Sequence, residues 1–530
     1  MKNYRYYLYL FLVVGFIIRI ILSFSIEFNI NHGISSDDSF YYFRIAQNIS
    51  NGFGSTFDKI NLTNGYQPLV LYYLVIFYYF FGSNIFTPIF LSQIILSFIA
   101  TLSAYLTYIL VKKITKEEFP AILSVLILFL NPIIIVINFK SLETNFYWFF
   151  IILSLLFYHN KIKNKSDNYY DFIFGFIISL AALARLDGGF YILSFTIYLL
   201  SKKNLSFTAR IERIFFTGLG FSLLFVPYLI YNKLVFNHFV PISGRAKVFH
   251  NHKQVLNQVG SYFSIDFILY EIRRFIFPFN FDLFANRGFG TFEQIAVYVL
   301  LIFILLVLLY FLKQKLLIRA IKSLVEFKFF GLFLLFHYSF YTLYFWEYRF
   351  YYFLPEIISL VILFSLLLSE WWKFVQVKIR KSVVINIIFI SVILIFILSG
   401  IKIFAAHHEQ ILALKTAKWI KENIPDDRIL GSANTGILSY FSQRRFVNLD
   451  GMVNNDELLE AYRKGEEAYL EYLKKYRIEY IVDYFLSPKP EFKYQFPKLL
   501  QNNYEVVNYF TDKRLKYQKL NHMLVIRLKL

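Results

Sequence analysis

Ile85 to Val111 reads IFTPIFLSQIILSFIATLSAYLTYILV, 27 residues without one charged side chain. A helix rises ~1.5 Å per residue and the hydrocarbon of a bilayer is about 30 Å thick, so roughly 20 such residues cross it. Val383 to Ile401, VVINIIFISVILIFILSGI, repeats the pattern. A single very large soluble core would show amphipathic helices and alternating strands instead of repeated uncharged runs. Of the 530 residues, 57% are hydrophobic and only 17% are charged, whereas a soluble domain is about a quarter charged. The chain therefore reads as an α-helical polytopic membrane protein.

There is no cysteine, which excludes disulfides and Cys-based metal sites. The 21% aromatic share is read as a coding bias and not as an aromatic code. A formal charge of +20 would suit nucleic acid, but the Lys and Arg sit in short loops between apolar runs. That distribution orients membrane proteins, so the expected partner is the lipid bilayer and no nucleic acid is expected. Met1 to Ile26 has a basic start and an apolar run but no small-residue cleavage site, so it reads as an uncleaved first helix.

Crossings are expected at 6–26, 85–111, 119–139, 144–158, 171–184, 188–201, 213–231, 293–312, 329–346, 350–369 and 383–402, about eleven in all. The apolar segment 67–82 decides the parity. With 67–82 non-crossing and the N-terminus inside, Lys112, Lys113, Lys116, Lys161, Lys163, Lys202, Lys203, Arg319, Lys322 and Arg380 all fall inside, as the positive-inside rule wants. The segment then reads as an interfacial helix, with Pro68 in its first turn. The outer side receives a first loop (27–84 with that helix), a turn at 140–144, a long loop at 232–292 and everything after 402. This makes 1–402 the membrane domain and 403–530 an extracytoplasmic domain in the cytoplasmic membrane. In 403–530 helices (413–423 and a long one at 456–475) alternate with strands (428–432, 445–449, 479–484, 522–528), which suggests a small α/β domain with a partly parallel sheet.

On the outer side, Asp37-Asp38 follows Ser35-Ser36. One reading is helix capping, with acids favoured in the first turn by the helix dipole. The other makes one Asp a general base toward an acceptor hydroxyl. Glu143, Arg185 with Asp187, and Glu347 with Arg349 gather on the same leaflet, where charges are either functional or paired with one another. The long loop carries seven Lys or Arg against three acids. Its Arg245 and Lys247 suit phosphate, and anionic lipid head groups are the alternative. His250-x-His252 is a weak metal pair. Gly431 to Gly436 opens a helix after a strand and suits an anion, but lacks dinucleotide-binding spacing. Asn448-Leu449-Asp450-Gly451 is either a ligand site at a strand end or a turn.

Several stretches, in order, carry a family resemblance: Asp37 to Tyr42 with Arg44-Ile45-Ala46, Gly52 to Asp58, Thr63-Asn64-Gly65-Tyr66-Gln67-Pro68-Leu69, Leu142-Glu143-Thr144, Ala184 to Gly188, Ser243 to Lys247, Tyr348 to Tyr351, Gly436 to Phe441 and Val447 to Gly451. The chain resembles the GT-C superfamily of polytopic glycosyltransferases, including protein O-mannosyltransferases, aminoarabinose transferases and bacterial members without an assigned acceptor. The resemblance implies a polyprenyl-phosphate sugar donor, a glycan, lipid or protein acceptor, and transfer on the outer face. It implies an acidic base in the first outer loop, Asp37 or Asp38 with Asp37 favoured. Arg245, Lys247, Arg185 and Arg349 would hold the donor phosphate. Arg44, Asn64, Glu143, Asp187 and Glu347 are further site candidates. It leaves a divalent metal (Mg or Mn) open. A flippase or transporter of lipid-linked sugars, or a polymerase, is the alternative.

Overall fold

The computed structural model describes residues 4–163, 167–276, 315–347, 349–374, 381–490, 500, 503–515 and 521–529. The expected crossing 293–312, together with Arg287 and Tyr348, lies outside the described residues. Among those described, five helices are long and apolar enough to span a bilayer. They are Arg5–Ser23, Thr87–Thr115, Phe207–Phe236, Leu354–Phe374 and Lys381–Ala405. Side chains such as Ile387, Leu394 and Leu398 on the last of these are exposed on its outside, as a lipid-facing surface requires. The chain is a multi-pass membrane protein with a small C-terminal sheet domain.

Several expected segments differ in detail, each for a local reason. The run 119–139 is not one straight helix. It breaks into Glu118–Phe129 and Pro132–Phe139, bent by 55°. Pro132 has no N–H to continue the first helix and keeps Asn131 extended (ψ 123°). The segment 67–82 forms the helix Pro68–Phe81, 14 residues, too short at ~21 Å to cross a bilayer unaided. The long loop 232–292 is largely helical where described: Phe207–Phe236 runs past its expected end, and Ile242–Val259 starts directly after Pro241.

Asn168–Ala184 lies along Phe207–Phe236, and between them Arg213 meets Asp171 at 3.0 Å, both almost fully buried. A lone charge there would be costly, so each residue satisfies the other.

The C-terminal sheet has five strands in the order β2-β1-β3-β5-β4: β1 (Ile429–Ser432), β2 (Arg445–Asn448), β3 (Ile478–Phe485), β4 (Tyr504–Thr511) and β5 (His522–Leu528). β1 is parallel to β2 and β3, and β5 pairs antiparallel with both β3 and β4. The sheet is thus partly parallel, as expected, but edge strand β4 is an addition. The expected helix 456–475 is two, Asp456–Lys464 and Glu466–Lys475. They part at Gly465, whose φ of 109° is open to glycine and strained for other residues.

Candidate active site

The site is built where the C-terminal domain sits on the first loop. Ser36 is extended (ψ 157°) and the helix Asp37–Ser50 begins behind it, with both acids in its first turn. Ser36 supplies no side-chain cap. The acids part company because successive helical residues point about 100° apart. Asp37 points into the C-terminal domain, where its Oδ2 accepts the Gly436 N–H at 3.0 Å and its Oδ1 accepts the Ile437 N–H at 2.7 Å. The anion at the N-terminus of Gly436–Ser442 is thus supplied by the chain itself. The approach is so close that a Cβ on residue 436 would lie 2.1 Å from the Asp37 carbonyl oxygen. Burial, aided by Asp38, pushes the Asp37 carboxyl up to about 6 against the pull of those two N–H groups.

Asp38 is exposed and accepts no hydrogen bond from a described residue. It lines a cleft of about 1280 Å³ between the helix ends and the C-terminal domain. Opposite it, Ile242–Val259 contributes Arg245 and Lys247 to the lining. Asn64 positions that helix, accepting the Ile242 N–H at 2.9 Å and donating to Asn232 at 3.2 Å. Arg245 pairs with Asp456 of the C-terminal domain, the second contact being 3.1 Å. Glu347 holds two cations, Lys247 at 3.6 Å and Arg349 at 2.7 Å. Two positive charges thus share one carboxylate, and of the three groups Lys247 lines the cleft.

Arg185 is committed differently. Its Nη1 donates to Glu143 at 2.5 Å, Nη2 to Asp187 at 2.7 Å and to Tyr341 at 2.5 Å, and Nε to Asp187 at 3.1 Å. Arg185 is 2% exposed and its two acids hardly more. The alternative in which Arg185 and Asp187 satisfy one another therefore describes most of what is seen, with Glu143 as a third member. Arg44 is outside the cleft, buried and donating to Gln47 at 2.8 Å and to Gln443 at 3.0 Å. The two histidines are not brought together. His250 Nε2 lies 2.8 Å from the Asp450 carbonyl oxygen, whereas His252 lies between Tyr262 Oη and the Tyr344 carbonyl oxygen. Among the described residues no group of three or more His, Asp or Glu is placed to share a cation. The donor set among the described residues does not fit a resident divalent metal.

Residues 66–231 match the family described as dolichyl-phosphate-mannose-protein mannosyltransferase. Residues 401–524 match a family described as a domain of unknown function (DUF8728). Among solved structures, the oligosaccharyltransferase of Archaeoglobus fulgidus tethered with an acceptor peptide containing the NVT sequon superposes with a TM-score of 0.51 at 15% identity, covering 91% of this chain and 69% of that one. Its apo form gives 0.50 at 15%, covering 91% and 70%. The fold is of the GT-C type. The ArnT protein of Cupriavidus metallidurans covers 96% of this chain and 98% of its own, at 11% identity and a TM-score of 0.45, too low to add to the comparison. No functionally curated protein matches the sequence.

Within this GT-C fold the C-terminal domain adds one acid, in the stretch that the sequence left open between a ligand site at a strand end and a turn. Asp450 lines the cleft, with Oδ1 accepting the Met452 N–H at 2.8 Å. Burial raises its carboxyl to about 7, partly offset by that N–H and by Lys247. The available signal was its place after a strand, and periodicity offers no means of telling which strand end faces a membrane domain.

Proposed function

We propose that this protein is a glycosyltransferase that moves a sugar from a polyprenyl-phosphate donor to an acceptor hydroxyl on the outer face of the cytoplasmic membrane. The N-terminus is then cytoplasmic and the C-terminal domain extracytoplasmic. The observation that carries the reading is Asp38, a carboxylate without a hydrogen-bond partner among the described residues, lining one cleft together with Lys247, which shares Glu347 with Arg349. The family matched by residues 66–231 supports a lipid-phosphate-linked donor.

Asp38 takes the proton of the acceptor hydroxyl, and that oxygen attacks the anomeric carbon. The bond from that carbon to the phosphate oxygen breaks as the new one forms, inverting the centre, and its electron pair leaves with the phosphate. Lys247 and Arg349 stabilise the phosphate charge as it develops. Arg245, held by Asp456, fixes the helix that presents Lys247. Arg185 keeps the wall of the cleft in place through Glu143, Asp187 and Tyr341. The preference for Asp37 as base moves to Asp38, because the oxygens of Asp37 are occupied by backbone N–H groups. A transporter would need a path onward from the cleft. Below it the inward face of the helix Thr144–Phe157 is tightly packed, with Tyr147, Trp148, Ile151 and Ile152 at most 1% exposed, which favours transfer at one face.

The test uses purified protein with a panel of radiolabelled polyprenyl-phosphate sugars, beside the Asp38→Asn variant. Release of sugar from one donor by the wild type alone is expected. Equal release by the variant would overturn the assignment of the base. Tight donor binding with no release, even with crude membrane acceptors added, would turn the reading to a transporter.

A further inference from the structure

At the end of the bundle opposite the cleft lies a second cavity, of about 990 Å³, whose lining has no part in the proposed transfer. Glu143 lines the cleft at the start of Thr144–Phe157, and Lys163 lines this cavity just beyond Tyr158–Ile162. The 19 residues between them span about 28 Å, so the two cavities are roughly a hydrocarbon thickness apart.

Seven lysines ring this cavity: Lys113, Lys116, Lys163, Lys202, Lys203, Lys322 and Lys328. They come from separate elements, at the ends of Thr87–Thr115, Tyr158–Ile162, Gly189–Ser201 and Leu316–Ser323 and at the start of Lys328–Phe340. Among the described residues the only acid in the lining is Glu326. It is already engaged by Lys163 and by His159 Nδ1 at 2.8 Å. Lys113 donates to Asn160 at 2.9 Å, and Lys202 lies 5.2 Å above the Tyr198 ring. Lys116, Lys203, Lys322 and Lys328 have no acidic partner among the described residues. The floor carries two phenols, Tyr158 and Tyr198, 3.0 Å apart.

Membrane orientation requires only that lysines lie on one side. It does not require seven of them around a common hollow, where like charges repel one another. A helix C-terminus favours a nearby cation, but its field fades within a turn. A polyanion in the hollow would remove the repulsion, and a cluster of lysines beside a membrane suits phosphate.

We propose that this cavity is a binding site for a phosphate-bearing anion, separate from the transfer cleft and on the side the loop charges assign to the cytoplasm. Two sources share this chemistry: the head group of an anionic phospholipid, and a soluble phosphate compound. The site is independent of the proposed transfer and stands if that reading fails.

The test compares full-length wild type with Lys116→Gln/Lys203→Gln/Lys322→Gln and with the charge-keeping Lys116→Arg/Lys203→Arg/Lys322→Arg. All three positions are exposed, and a monodisperse gel-filtration profile checks each variant. One arm reconstitutes the protein in nanodiscs of mixed phosphatidylglycerol and phosphatidylcholine and measures the lipid retained after detergent exchange. The other measures pyrophosphate binding in detergent. Each lysine near an anionic group is worth about fivefold in binding, so the Gln variant should lose about 100-fold while the Arg variant keeps most of it. A lysine-dependent preference for phosphatidylglycerol identifies a lipid head group. Lysine-dependent pyrophosphate binding without lipid preference identifies a soluble phosphate. Wild type and Gln variant behaving alike in both arms overturns the proposal.

Discussion

Two adjacent carboxylates with different surroundings should fail in different ways. In Asp38→Asn the proposed base is lost while the fold is left alone, since Asp38 is exposed and holds no described hydrogen bond. A positioned general base is worth roughly 10²- to 10⁴-fold in rate, which is about 3–5 kcal/mol of barrier. Transfer should drop by that factor at an unchanged melting midpoint. Asp37→Asn alters the two contacts at 3.0 and 2.7 Å. One amide oxygen can still accept the Ile437 N–H, but the amide N–H₂ then faces the Gly436 N–H, donor against donor. Orphaning that donor costs about 1–3 kcal/mol, and losing the negative charge at the helix N-terminus costs about 0.3–1 kcal/mol more. Asp37→Asn should therefore melt several degrees lower and expose the junction near Ala405 to protease, yet keep measurable transfer at low temperature. The assays are donor turnover, a thermal melt in detergent and limited proteolysis on the same preparations. Full loss of turnover in Asp37→Asn at an unchanged melt, with turnover retained in Asp38→Asn, would refute the assignment.

Arg185→Gln leaves Glu143, 5% exposed, without its cation and leaves Asp187 with His337 at 3.5 Å as its remaining basic partner. The cost should be about 3–5 kcal/mol, seen as early aggregation in heated gel filtration and partly relieved by adding Glu143→Gln and Asp187→Asn. Lys247→Gln removes one of the two cations on Glu347 and, because Lys247 acts on charge that develops in the transition state, should lower kcat about 10²-fold with a smaller effect on the donor KM, read from initial rates. Asp450 has a folded-state value of about 7 against an ordinary 3.8. Its stabilising contribution is therefore complete below about pH 4 and is lost as pH rises toward about 7. Melting midpoints should fall for wild type over that interval and fall less for Asp450→Asn; equal slopes would remove Asp450 as the cause.

Whatever depends on a short stretch of chain was legible in the sequence, and whatever depends on the meeting of distant stretches was not. Uncharged runs such as 85–111 are a local property, so a helix such as Thr87–Thr115 could be placed within a few residues. The bend at Asn131-Pro132 and the break at Gly465 carried their signals openly, in a proline and a glycine, and were overridden by the apolar and amphipathic periodicity around them. Strand β4 lies at the sheet edge and pairs only with β5, so little inward-facing pattern marks it. The candidate site is the harder case. That acids and bases would gather at one end of the bundle followed from their places between the crossings. Which of Asp37 and Asp38 faces the cleft did not, because the choice is made by Gly436 and Ile437, 400 residues away, and by a contact that tolerates no Cβ. The Arg245 pair with Asp456, 211 residues apart, is of the same kind. A cation suited to phosphate and a cation spent on a carboxylate look identical until the partner is in view. In the proposed transfer the C-terminal domain is therefore part of the chemistry even without touching the sugar: by holding Asp37 it leaves Asp38 as the carboxylate that lines the cleft.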